Sequence, residues 1–461
     1  MRTFKIFLLL ICFINMLLIH VNGQHLSSYN LQHLPQRSAM NPSFMPHGKM
    51  HIGIPVLSGI SYNYINSGFR YSDLLRINDN QSLYLDIPNA ISKLNTRNHL
   101  SAQSEIEILA AGMKIKKSYF SLNATEKVDF NFNYSKSTIE FLFEGNAATA
   151  GTTQQLNPGV EAIHYREYGL AWAFELNPKI TTGIRAKYLY GMEHALSKGE
   201  GVTMYTDPVD FTITASSDYT VYTSGLDTGA FNDFGFGNYA IGKKNSGIGI
   251  DAGITYKVTQ SVEISASVID FGKINWSSDI AIYETHTSTD GFTYSGINLN
   301  EFINNDSLDA ESYLENIADS LYNSFHVTTS SESYSSQLPM QVYLNGSYLF
   351  SPRYKISALV KHKTLHHNNT TDFQVAFTGK SKTWLNYTIA MNKLQHTPAT
   401  LGAGFALNFH NSQLYFVSDN VPGIFNWKKS YSTGFRTGIN MVFGTRLKNM
   451  KPPQPKLEAP E

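Results

Sequence analysis

The chain has 461 residues, enough for two or three soluble domains or one large barrel, and its 36 basic and 36 acidic residues cancel. That balance leaves no electrostatic footprint for nucleic acid. The single cysteine, Cys12, lies in the N-terminal apolar run, so a chain without that run has no disulfide and no cysteine metal site.

Arg2 and Lys5 precede an apolar run from Ile6 to about Ile19, and Val21-Asn22-Gly23 offers small residues for cleavage. This form predicts a signal peptide over residues 1–23, with Gln24 as the mature N-terminus. The alternative, a membrane anchor, is disfavoured by the shortness of the run and by Asn15 within it. Ile11 stands where a lipobox wants a small residue, so Cys12 is not expected to carry lipid. Further on, no apolar run reaches the roughly 20 residues of a spanning helix. An exported chain of this kind is either soluble or a barrel. An aromatic content of 13%, with 27 Tyr and 28 Phe, fits the aromatic girdles of a barrel.

Residues 24–49 are polar and irregular, and the closely spaced prolines of Asn41-Pro42-Ser43 and Met45-Pro46 argue against a strand there. From Met50 to Asn66 the chain turns strand-like, and Gly53, Pro55 and Gly59 predict a bent or edge strand. Residues 67–103 read as a long connection with a short helix near Ile87–Leu94. Hairpins follow: Glu105–Ile115 with Ser118–Tyr134, Gly169–Leu176 with Ile180–Gly191, and Ile248–Lys257 with Val262–Val268. Val342–Phe350 then pairs with Ile356–Val360, Phe373–Phe377 with Leu385–Met391, and Leu401–Phe409 with Leu414–Ser418 after a turn at Asn411-Ser412. Phe435–Phe443 is the last strand. Among the long connections, 191–245 reads as an extended hairpin turning at Asp207-Pro208. Residues 273–340 hold a helix from Ser307 to about Asn323.

Along these strands the side chains alternate. Leu401, Ala403, Phe405, Leu407 and Phe409 share one face; Gly402, Gly404, Ala406 and Asn408 share the other. A soluble sandwich would turn the greasy face inward, and a membrane barrel would turn it toward lipid. Arg185, Lys187, Asp251 and Glu263 fall on the polar faces. Lone charges suit a wet lumen wall and not a dry core. They form either an anion path or pairs that brace the wall or a plug. Short and long connections alternate, the format of an outer-membrane barrel. The expected fold is therefore an all-β, antiparallel, up-and-down transmembrane barrel of about 14 strands, with an N-terminal plug and long outer loops. The expected division is a leader at 1–23, a plug at 24–49, a barrel at 50–445 and a Pro-rich periplasmic tail at 446–461. Both termini are expected on the periplasmic side of the outer membrane.

No Gly-x-Ser-x-Gly elbow, His-Glu-x-x-His pair or P-loop is present. A barrel hydrolase would have to gather Ser, His and a carboxylate from separate strands. His362, His366 and His367 read as solvated loop residues, with metal binding the alternative; no cofactor, metal or enzymatic activity is expected. Arg436-x-Gly438-x-x-Met441-x-Phe443 resembles the final-strand signature that such barrels present to the barrel assembly machinery, although here further residues follow Phe443.

Other stretches carry a family resemblance: Asn41-Pro42-Ser43, Tyr165-Arg166-Glu167-Tyr168, Gly183-x-x-x-Lys187-Tyr-Leu-x-Gly191, Asp251-x-Gly253-x-x-Tyr256, Asp419-Asn420 and Gly438-x-Asn440-x-x-Phe443-Gly444. In this order they resemble an uncharacterised family of Gram-negative outer-membrane barrels, related in architecture to the long-chain fatty-acid transporter superfamily. In those transporters an Asn-Pro-Ala segment lies in a hatch that plugs the barrel. The resemblance implies the same for Asn41, Pro42 and Ser43. It also implies passive transport of a hydrophobic or amphipathic small molecule, to which the aromatics Tyr62, Tyr64, Phe231, Phe234 and Phe236, read as outer-loop residues, would contribute. The alternative is a sealed scaffold for a secretion or surface-attachment machine. Expected partners are outer-membrane lipid, the assembly machinery and either a hydrophobic ligand or a periplasmic or surface protein.

Overall fold

The computed structural model describes residues 26–77, 82–226, 245–286, 292–294, 327–381, 384–395 and 397–444. The leader 1–23 with its cleavage site, the tail 446–461, Phe231, Phe234, Phe236 and the helix expected from Ser307 lie outside the described residues.

Fourteen strands close into one antiparallel barrel. β1 comes in two pieces, Met50–Gly53 and Ile60–Asn66. β2 is Arg97–Ile115, β3 Ser118–Ser135, β4 Gly159–Asn177, β5 Ile180–Thr206, β6 Ser246–Lys257 and β7 Val262–Trp276. β8 is Gln341–Ser351, β9 Tyr354–Lys363, β10 Thr370–Ser381, β11 Leu385–Lys393, β12 Ala399–Phe409, β13 Ser412–Ser418 and β14 Ser432–Phe443. Each pairs with the next. β14 then pairs with β1, Met50 opposite Phe443 and Ile60 opposite Thr437, so no edge is left open.

Which face is greasy settles the choice between sandwich and barrel. Leu401 is 53% exposed, Phe405 37% and Phe409 54%, while Gly402, Gly404 and Ala406 between them are buried. The same parity holds for Leu170, Ile184, Ile248, Ile356 and Ile389, all exposed on the outer wall. Leaving such side chains in water costs roughly 1.5–3 kcal/mol each; against lipid the term vanishes. No helix among the described residues is long and apolar enough to cross a membrane; the outward apolar face belongs to the strands of the closed barrel.

The bend expected in the first strand is present, but it is not an edge. Residues 54–59 leave the ladder, with Val56 at φ 65°. The seam stays bonded on both flanks: Ile54 N–H donates to the Ile439 carbonyl and Val56 N–H to that of Ile108. Gly438 makes room for the bend, since a Cβ there would stand 2.1 Å from the Ser58 carbonyl oxygen.

Several strands outrun their expected limits. β5 continues past Gly191 to Thr206, and its 27 residues reach about 90 Å of contour. Only about 9–11 residues are needed to span. The remainder extends beyond that length and pairs with Ile213–Ser224 in a long hairpin. Inward residues such as His194, Leu196 and Met204 stay buried there, but irregularities at 191–193 and 199–201 shift the parity, so the alternation that marks a strand in sequence fades. β2 likewise starts at Arg97 rather than Glu105, and β7 runs on to Trp276. The turn before β13 falls one residue early, with His410 at φ 51°. Tyr62 and Tyr64 sit on β1, alternating with the buried Ser61 and Asn63, and so face outward from the wall rather than standing in a loop. Short turns gather at one end of the barrel, the turn end; long connections gather at the other, the loop end.

Candidate functional site: a plugged lumen

Residues 26–49 lie inside the barrel. The short helix α1, Leu26–Asn30, is wholly buried. Its first amides have no partner in the helix. The wall supplies one: Leu26 N–H and Ser27 N–H donate to the two carboxylate oxygens of Asp419, at 2.7 and 2.8 Å. Burial raises Asp419 to about 6, against those hydrogen bonds.

Asn41-Pro42-Ser43 forms a compact turn. Ser43 donates its N–H and its hydroxyl to Asn41 Oδ1 at 2.9 and 2.7 Å, and its Oγ lies 2.7 Å from Thr255 Oγ1. The turn sits on two glycines that face each other across β5 and β6, Gly183 and Gly253. A Cβ on Gly183 would stand 2.2 Å from the Pro42 carbonyl oxygen, and one on Gly253 2.1 Å from Asn41 Oδ1. These glycines form a bare groove in the wall, and the turn fills it.

On the opposite side Gln36 holds the seam of β14 and β1. It exchanges bonds with Asn440 at 2.8 and 3.0 Å and donates to the Ser58 carbonyl at 3.1 Å. Apolar residues complete the seat. Leu26, Tyr29, Met40 and Phe44 of the hatch pack against Ile65, Ile269, Tyr343, Leu359 and Leu394 of the wall.

Of the four charged residues expected in the lumen, three meet and one does not. Lys187 bonds Asp251 at 2.8 Å, and Arg185 bonds Asp251 at 3.4 Å. Arg185 also donates to the Ser38 carbonyl at 2.9 Å, so it braces the wall and holds the plug together. Glu263 lies nearer the turn end, on a cavity of about 470 Å³ shared with Arg37 and Lys257. The network includes residues that parity alone did not single out. Lys187 also bonds Asp270 at 2.5 Å and Glu167 at 3.3 Å, and Lys127 bonds Glu167 at 2.8 Å. By period two Asp270 would follow Val268 toward lipid. A bulge, with Asp270 at φ 61°, turns both Ile269 and Asp270 inward. Glu167 and Lys127 do fall on the inward parity of β4 and β3, and that signal was available in the sequence.

The final-strand residues divide between the faces. Arg436 is buried in the lumen and donates to Glu105 at 3.3 Å; Gly438 accommodates the bend in β1. Met441 is exposed on the outer wall, and Phe443 pairs with Met50 at the end of the strand. His362 Nδ1 lies 2.9 Å from Thr371 Oγ1, and the rings of His366 and His367 meet edge-on at 5.0 Å. No group of three His, Cys, Asp or Glu able to hold a metal occurs among the described residues.

A family model matches residues 42–419, well over half of the chain. The chain belongs to the family of unknown function DUF5723. No curated protein matches it. Among solved structures it is similar to the toluene transporter TodX of Pseudomonas putida, at 10% identity over 92% of this chain and 97% of that one, with a TM-score of 0.40. It is similar to a FadL homologue of Pseudomonas aeruginosa at 12% identity, covering 92% and 97%, TM-score 0.42. A mutant porin of Rh. blastica follows at 7%, covering 84% and 100%, TM-score 0.23. The closed ladder of paired strands, rather than these distant likenesses, establishes the barrel in this DUF5723 member.

Proposed function

We propose that this chain is a gated passive transporter of the outer membrane, that residues 26–49 are its gate, and that its cargo is a hydrophobic or amphipathic small molecule. The turn end faces the periplasm in this reading, and the outward Met441 and Phe443 serve recognition by the assembly machinery. The observation that carries it is the seat of the hatch. A strip of wall made by Ile65, Ile269, Tyr343, Leu359 and Leu394 is apolar, in a lumen that also carries the charged cluster of Lys127, Lys187, Asp251 and Asp270, and Leu26 and Tyr29 of the hatch cover it. A hatch that leaves bares this strip to the apolar part of a cargo. Its ties are non-covalent and local, to Asp419, Thr255, Arg185 and Asn440.

The test is uptake of a fluorescent single-chain amphiphile into proteoliposomes, with the intact chain and with residues 24–49 removed. Saturable uptake that rises without the segment is the expected result. Uptake at the protein-free rate in both forms overturns the reading.

A further inference from the structure

The connection between β9 and β10, residues 364–369, does not stand above its own strands. It reaches over the lumen to the far wall. Lys363, at its root, pairs with Asp129 of β3. His366 N–H donates to Glu161 Oε2 of β4 at 2.8 Å. His367 Nε2 lies 3.1 Å from Ser197 Oγ of β5. Its ring rests against Gly159, where a Cβ would stand 2.7 Å from the ring. β6, β7 and β8 separate these partners from β9, so the contacts span the mouth rather than join adjacent strands. Leu365 is 5% exposed beneath the tip, and its N–H donates to Asn369 Oδ1 at 3.0 Å, which fixes the shape of the tip.

Leu365 lines a small cavity of about 20 Å³, which shares Gln103, Lys361 and Lys363 with a chamber of about 80 Å³ lined also by Glu105, Lys127 and Asp129. The hatch forms its floor: Gln36 donates to Glu107 at 3.0 Å, and Ser38 is held by Arg185. The two adjoining cavities thus lie between two separate parts of the chain, Leu365 of the tip bordering one and the hatch the other. The tip shares no strand ladder with β3, β4 or β5. Apart from Leu365, what fastens it is a few polar contacts, which break and remake without unfolding the wall.

We propose that residues 364–369 are a second gate at the loop end, acting in series with the hatch, and that the charged chamber between them is a lock which opens to one side at a time. This rests on the transporter reading.

The geometry supplies a clean lock. A Cβ at residue 159 would stand 2.7 Å from His367 Cγ, which places the two Cβ atoms within the range of a disulfide. The chain has one native cysteine, Cys12 in the expected leader, so Gly159→Cys with His367→Cys adds the only pair. Single-channel conductance is measured in planar bilayers for this double variant, with the hatch present and with residues 24–49 removed, before and after reductant. Heat-dependent gel mobility verifies that each barrel is folded, and each single-cysteine variant controls for reductant effects. The hatch-less barrel is expected to conduct when reduced and to lose at least tenfold of that conductance when oxidised. Equal conductance in the two states overturns the second gate and leaves the transporter reading standing. A folded barrel lacking both residues 24–49 and the 364–369 tip that still passes no current overturns the transporter reading itself.

Discussion

Alanine at Gly183 or Gly253 tests the seat of the hatch with the smallest available change. The wall itself tolerates alanine, since Ala171, Ala376 and Ala406 already occupy buried wall positions. The hatch does not. The new methyl on Gly183 would stand 2.2 Å from the Pro42 carbonyl oxygen, and ordinary contact begins near 3.4 Å, so the turn must rise by the difference, about 1.2 Å. That rise stretches the 2.7 Å Ser43–Thr255 bond and the 2.9 Å Arg185–Ser38 bond past useful length. Overpacking of this kind costs about 1–3 kcal/mol, or roughly 5- to 150-fold in the population of released hatch. Arg37, 8% exposed in the seated hatch, reports that population. An arginine-specific protease cuts after it only when the hatch leaves, and the rate follows the open fraction when reseating is fast. The yield of the fragment ending at Arg37 is expected to rise roughly 5- to 150-fold in Gly183→Ala and Gly253→Ala. Gly346→Ala is the control, because no atom lies within 4 Å of its added Cβ. A folded Gly183→Ala barrel cleaved no faster than Gly346→Ala would refute the groove as the seat of the hatch.

Asp419→Ala leaves two buried amides, those of Leu26 and Ser27, without an acceptor. Each lost partner costs about 1–3 kcal/mol, so cleavage after Arg37 should accelerate, and less so in Asp419→Asn, which keeps one acceptor. Acid should also loosen the hatch. Burial, with His47, Lys380 and Arg37 nearby, holds His33 down at about 3 from an ordinary 6.5, so a released hatch takes up a proton that a seated one refuses. Seating therefore weakens as pH falls below 6.5, on the order of tenfold between pH 7 and pH 5. Asp419, raised to about 6 from 3.8, works in the opposite sense, so the comparison is between wild type and His33→Gln across pH, and identical slopes would reject the His33 account. On the outer wall Ile389 is 51% exposed at the middle of β11. Arginine there should destabilise the barrel by about 2–4 kcal/mol, read as a lower urea midpoint in lipid vesicles, and an unchanged midpoint would mean this face does not meet lipid.

Much of this was legible from local pattern. Period-two alternation located the wall strands, and the contrast between Leu401, Phe405 and Phe409 and their glycine and alanine neighbours marked the two faces before any fold was known. Asn41-Pro42-Ser43 stood out by resemblance, and Arg185, Lys187 and Asp251 by parity. The far reaches of β2, β5 and β7 were missed because bulges at 107–109, 191–193 and 269–270 shift the parity of the strands. Asp270 was hidden by its bulge, since one extra residue reverses parity and no local composition announces it.

What the sequence determined by itself was an all-β chain: strands with one apolar face, joined alternately by short and long connections, the format expected of a barrel with that face outward. Local pattern fixes this because it depends on residues two apart. The tertiary structure alone decided what fills the barrel. Gly183 meets Pro42, Asp419 meets Leu26, and His367 meets Ser197, residues 141, 393 and 170 positions apart. Contacts at such separations depend on how the wall curves and where its bulges fall, and no window of sequence holds both partners at once.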